Sequence, residues 1–105
     1  MTFSQMTDRA MQVRQRFTAT AEAGGSRGWT REEIMQGFVG DVGDLMKAVM
    51  MKSGVRPGDD VDHKIAHELS DCLWSVLVLA KLYGVDLEQE FLATMIGIET
   101  KLAQH

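Results

Sequence analysis

The sequence predicts an all-α fold, a four-helix antiparallel bundle, and three observations support it. The 105-residue chain has a single proline, Pro57, so nearly every stretch is free to be helical. Apolar residues recur at three- and four-residue steps rather than in strict alternation. The polar and glycine-rich breaks are few and short, which suits antiparallel neighbours joined by tight connections. At this length one core is expected, a single helical domain over residues 1–105. Chains of this size hide only roughly 60 to 70 % of their extended surface, so subunit association is expected to add to stability.

The first helix is expected from about Ser4 to Glu22, where Met6, Ala10, Val13 and Phe17 form one apolar stripe. Gly24-Gly25-Ser26-Arg27-Gly28 ends it. Thr30-Arg31-Glu32-Glu33 opens the second helix as a capping box, in which the Thr30 hydroxyl and the Glu33 carboxylate satisfy free backbone amides reciprocally. This helix is expected to reach about Lys52, with Ile34, Phe38, Leu45 and Val49 as its buried stripe. Ser53 to Gly58 forms a loop, and Asp59 or Asp60 is placed to cap the third helix. That helix runs to about Tyr83, where Gly84 supplies a stop. Asp86, with Gln89 three residues later, starts the fourth, which ends near Leu102.

A formal charge of −4 and a pI near 5.2 argue against a nucleic-acid polymer or an anionic membrane as partner, because phosphate backbones are held by clustered Lys and Arg. An acidic chain still accommodates a nucleotide through a divalent cation, which reverses the local sign of the site. Cys72 is the only cysteine, so a reduced, cytoplasmic setting is expected. The N-terminal residues hold no continuous apolar stretch, and the longest apolar run, Cys72 to Ala80, is interrupted by Ser75. That run is too short to span a bilayer, so no membrane association is expected.

Acids interrupt the apolar pattern at two places. At about 100° per residue Asp41 falls near the centre of the second helix's apolar stripe, and Asp44 lies at its edge. On the third helix Glu68 and Asp71 precede an apolar run, Cys72 to Ala80, that leaves little solvated face. Both pairs have the i, i+3 spacing at which side chains meet. Taken singly, each acid reads as an ordinary helix-surface residue. Two matched pairs converging would need a positive charge to offset their burial, and carboxylate oxygens are the donors that hard cations such as Mg²⁺ prefer.

Asp41-Val42-Gly43-Asp44-Leu45, followed by Glu68-Leu69-Ser70-Asp71-Cys72-Leu73-Trp74, resembles the paired-acid signature of MazG-like all-α NTP pyrophosphatases, whose pattern is E-x-x-E, a spacer, then E-x-x-D. The similarity takes in Trp29-Thr30 and the stretch Val78 to Leu87, and so covers about the last three quarters of the chain. The resemblance implies Mg²⁺-dependent cleavage of a nucleoside triphosphate to monophosphate and pyrophosphate, with clearance of unwanted nucleotides as the expected role. It assigns metal binding and catalysis to Asp41, Asp44, Glu68 and Asp71, with Mn²⁺ as an alternative ion. The sequence departs from the family where Asp41 and Asp44 stand for Glu and Gly40 for a frequent additional acid. Each Asp is one methylene shorter, so the alternative is a degenerate helical oligomer that binds nucleotide or a partner without hydrolysis. A ligand-free helical interaction protein is a third class.

Lys47, one turn after Asp44, and Lys101 on the last helix are candidate phosphate contacts, and Trp29 is a candidate stacking surface for a nucleobase. Each has a structural counterpart: Lys47 also suits the negative end of its helix, and Trp29 suits a staple just before Thr30. His63 and His67, at i, i+4, would form part of a Zn²⁺ or Ni²⁺ site. A structural zinc site wants four ligands, however, so polar first-turn residues are the simpler reading. Met46, Met50, Met51 and Met95 suit irregular core or interface space. The apolar third helix points to a homodimer or homotetramer.

Overall fold

A computed structural model describes residues 1–104. Four helices follow one another, α1 Phe3–Ala23, α2 Arg31–Lys52, α3 Val61–Leu82 and α4 Leu87–Ala103. The described residues contain no strand. Among them, no helix is long and apolar enough to cross a membrane.

Local chemistry sets most of the ends. Thr2 and Gln5 form a reciprocal capping box that starts α1 one residue before the expected Ser4. The expected box at α2 is present, with the Glu33 amide donating to Thr30 Oγ1 at 3.2 Å and the Thr30 amide donating to Glu33 Oε1 at 3.0 Å. Arg27 closes on the same carboxylate. Its guanidinium is the main reason that the Glu33 pKa falls from 4.5 to about 2, with the Thr30 amide next. At α4 only half of the box forms, as Gln89 N donates to Asp86 Oδ1 at 3.2 Å. Gly84 takes a left-handed φ of 69°, which only glycine adopts without strain. The turn there lets Val85 N reach Ala80 O at 2.8 Å and stops α3.

The start of α3 corrects an expectation. Asp60 occupies the cap position, but its backbone is left-handed (φ 54°) and its carboxylate makes no capping bond. The junction is tied instead by Lys52 Nζ to Asp62 Oδ1 at 2.8 Å, from the last turn of α2 to the first of α3.

The principal packing is α2 along α3. Its direction follows from the pairs that meet: Arg31 lies over the Tyr83 ring, Asp41 is near Ser75 and Asp71, Asp44 is near Glu68, and Lys52 meets Asp62. Numbers rise along α2 as they fall along α3, so the two form an antiparallel hairpin. Helix α1 packs on α3 more lightly. Trp74 Nε1 donates to Ala10 O at 3.1 Å, and the Phe17 and Trp74 rings meet edge to face at 5.8 Å.

These three helices share a small core of Ala10, Ile34, Leu77 and Val78, flanked by Met6, Trp74 and Leu82. Helix α4 buries no residue. Of the expected α2 stripe, Ile34 is buried and Phe38 and Leu45 are half-buried, but Val49 is 48 % exposed. It lies at the margin of the sector facing α3, and Ala48 takes the buried place beside it. Met46 and Met50 are likewise exposed and add little to the core.

Candidate functional site

The helical register of α2 puts Asp41 and Asp44 one turn apart, and that of α3 does the same for Glu68 and Asp71. Antiparallel packing brings the pairs face to face. Asp41, Asp44 and Glu68 each offer a carboxylate oxygen, and these oxygens lie within 4.8 Å of one another. His67, Glu68 and Asp71 form a second such group under the same limit, so Glu68 belongs to both. His67 Nε2 approaches Asp71 Oδ2 at 3.2 Å, one helical turn away. Asp41, Glu68 and Asp71 are half-buried and Asp44 is exposed, which leaves one side of the cluster open to solvent.

Electrostatics register the crowding. The Asp41 pKa is raised, first by burial and then by the charges of Asp71 and Asp44, while a hydrogen bond from Ser75 and the proximity of His67 partly oppose the rise. The Cys72 thiol is also pushed up, by burial and then by Asp41, Glu68, Asp71 and Asp44 in turn. One thiol thus feels all four acids. Such a cluster is costly while uncompensated, and a bound divalent cation would relieve it. The donors are mainly carboxylate oxygens, the set a hard cation takes, with room on the open side for water or phosphate.

The remaining sequence candidates, His67 excepted, belong to neither donor group. Lys47 is exposed one turn beyond Asp44. Lys101 is in the last turn of α4, a helix that supplies no member of either donor group. Of the two histidines only His67 joins a donor group; His63 is exposed in the first turn of α3. Trp29 packs over α2, so closely that a methyl group at Gly37 would come 2.6 Å from its ring. With Arg14, Phe17, Ile34 and Trp74 it lines a largely apolar cavity of about 390 Å³ that includes none of the four acids. Arg14 donates to Trp29 O at 3.1 Å, and its Nε is buried without a hydrogen-bond partner among the described residues.

Two residues at the cluster escaped the sequence reading. Ser75, 1 % exposed, is the one buried polar residue among those described, and it faces Asp41. From sequence Cys72 is a sign of redox compartment and the start of an apolar run, not a group on which the acids act. A signal existed for both: each sits four residues after an acid, Glu68 or Asp71, and so on the same face of α3.

A family model described as the MazG nucleotide pyrophosphohydrolase domain matches residues 29–101. The match spans the whole of α2 and α3 and both acid pairs. No curated protein and no solved structure gave a significant match.

Proposed function

Since the chain belongs to the MazG nucleotide pyrophosphohydrolase family, we propose that it hydrolyses a nucleoside triphosphate to the monophosphate and pyrophosphate, with Asp41, Asp44, Glu68 and Asp71 as the working acids. The supporting observation is the convergence of the two acid pairs, with Glu68 common to both donor groups. Water adds at the α-phosphorus, the bond from that phosphorus to the α–β bridging oxygen breaks, and pyrophosphate leaves.

The same four acids would hold Mg²⁺, or Mn²⁺ in its place, and the carboxylate donor set fits either. When bound, the ion supplies positive charge to the phosphates and makes water more acidic. The chain's own groups do the rest. The Ser75 hydroxyl fixes the Asp41 carboxylate, and His67 orients Asp71 across 3.2 Å. A carboxylate of the set accepts the proton of the attacking water. Lys47 and Lys101 are the phosphate contacts, and Trp29 stacks on the base. The floor of the aromatic cavity supports that role for Trp29, since Ile34 precedes Asp41 by seven residues, about 10 Å of helix. A nucleotide is long enough to bridge the two. Clearing unwanted nucleotides from a cytoplasmic pool is the role this chemistry suits.

Asp41 and Asp44, each one methylene shorter than the family's Glu, favour a second reading in which nucleotide binds without being cut. Incubation with a panel of NTPs and dNTPs plus Mg²⁺ or Mn²⁺, with products resolved by ³¹P NMR, separates the two. Monophosphate and pyrophosphate are expected from at least one substrate. Intact nucleotide throughout, or diphosphate and inorganic phosphate, overturns hydrolysis as proposed.

A further inference from the structure

Between α1 and the start of α2, two aromatic rings stand open beside a buried donor. Phe17 is 63 % and Trp29 57 % exposed, although both line the same apolar cavity. Its volume, about 390 Å³, falls in the range of small-molecule sites, roughly 300 to 1,000 Å³. Two cations reach the cavity, and they differ. Arg27 is closed by the Glu33 carboxylate and by Gly28 O. Arg14 makes no ion pair among the described residues and donates from Nη2 to Trp29 O at 3.1 Å. Its Nε is buried with no partner. A buried N–H left unpaired costs free energy, and a guanidinium has only donors, so only an acceptor completes it.

A group that suits this place is flat, apolar on its faces and an acceptor at its edge. A phosphate meets the edge but not the faces, because it would shed water into an apolar cavity. A nucleobase carbonyl on a stacked ring meets both demands. The bases differ in what they offer: guanine has O6 beside N7, thymine and uracil have O4 and O2, and cytosine has O2, whereas adenine sets an amino donor beside N7 and bears no carbonyl. We infer that Arg14 selects the base: its side chain donates to the carbonyl oxygen of a guanine, thymine, uracil or cytosine stacked on Trp29 and discriminates against adenine.

This rests on the nucleotide reading of the same site and adds which bases that site takes. Arg14 and Phe17 sit on α1, ahead of the family domain that carries the four acids. The groups that work on the phosphates and the group that reads the base thus come from different parts of the chain. Both tryptophans of the chain, Trp29 and Trp74, line the cavity, so quenching of tryptophan emission reports its occupancy.

The test titrates the full chain, in Mg²⁺, with α,β-imido analogues of dGTP, dTTP, dCTP and dATP, whose α–β bridge resists cleavage. The dATP analogue is expected to bind roughly tenfold or more weakly than the other three. Arg14→Gln puts an amide in place of the donors, and an amide pairs with the N6 and N7 edge of adenine, so that ratio should shrink by roughly tenfold. Arg16→Gln removes an equal charge from an exposed position of α1 and should leave the ratio unchanged. If Arg14→Gln loses helicity by circular dichroism, Arg14→Met, apolar and of similar length, takes its place, with the preference again expected to vanish. Equal affinity for all four analogues overturns the inference. So does uniform weakening of all four by the Arg14 variant, which would mark an arginine that only braces Trp29 through its carbonyl. Quenching by no analogue, with pyrophosphate still released in the ³¹P assay, removes the base site and leaves hydrolysis standing. Quenching in the expected order without hydrolysis of any nucleotide upholds the base site and overturns the activity.

Discussion

Replacing Asp41 by Asn keeps the side chain's shape and its acceptor for Ser75 but removes one charge from the cluster. The oxygens of Asp44 and Glu68 lie within 4.8 Å of that of Asp41. Two like charges at such a separation repel by about 0.9 kcal/mol in water and about 3.5 kcal/mol at an effective dielectric constant near 20. Asp44 is exposed and one side of the cluster is open, so screening by water applies and each pair contributes about 1 kcal/mol. Without metal, Asp41→Asn should therefore stabilise the protein by roughly 1 to 2 kcal/mol, which raises Tm by roughly 5 to 10 °C for a chain of this size. Added Mn²⁺ should act in the opposite sense. At about one hundred times its Kd it stabilises the wild type by about 2.7 kcal/mol, and the variant should lose most of that gain. The folded-state pKa of Asp41 lies above its ordinary 3.8, so the folded chain holds this proton more tightly than the unfolded one. Its contribution to stability declines as pH rises from about 3.8, and the gain from Asn should appear at neutral pH and vanish in acid. Thermal melts by circular dichroism at one protein concentration, with and without Mn²⁺, measure all three effects. A variant that is less stable without metal, or that keeps the full response to Mn²⁺, would refute the reasoning.

Ile34 is 2 % exposed in a core of four buried residues, so Ile34→Ala should cost about 2 to 5 kcal/mol in urea denaturation, a large fraction of the margin of a small domain. Glu33 titrates near 2 instead of 4.5, so its stabilisation of the α2 start is present above 4.5 and is lost as pH falls towards about 2. Glu33→Gln should flatten the acid limb of the stability profile in that window, and an unchanged limb would remove Glu33 from the account. Ser75→Ala should weaken Mn²⁺ binding by about tenfold in calorimetric titration, because Asp41 loses the hydroxyl that orients it.

The helix ends were legible where their chemistry is local. The Thr30 and Glu33 box, the Asp86 cap and the Gly84 stop each depend on residues within a few positions of one another. The start of α3 was not, because Asp60 adopts a left-handed backbone and the junction is tied by the non-local pair of Lys52 and Asp62. The acid pairs could be read because i, i+3 spacing fixes each of them within its own helix. Their convergence depends on the α2–α3 register, which no single helix encodes. Ser75 and Cys72 escaped for the same reason: a serine within an apolar run acquires meaning only when Asp41 arrives from the opposite helix. Val49 was placed in the buried stripe on angle alone. Burial on a helix depends on how wide a sector its neighbours cover, and here α3 and α1 leave the side of α2 that carries Val39, Val42, Met46 and Val49 open.

Glu68 is shared by both donor groups, so it is where the account is most exposed. Titration of the protein with Mn²⁺, followed by the loss of the free ion's paramagnetic resonance signal, counts bound ions directly. Wild-type protein should take up Mn²⁺ in competition with Mg²⁺, and Glu68→Gln should abolish or severely weaken that uptake while helicity is retained. Equal Mn²⁺ uptake by the two proteins, or none by the wild type, would contradict the claim that these carboxylates form a metal centre.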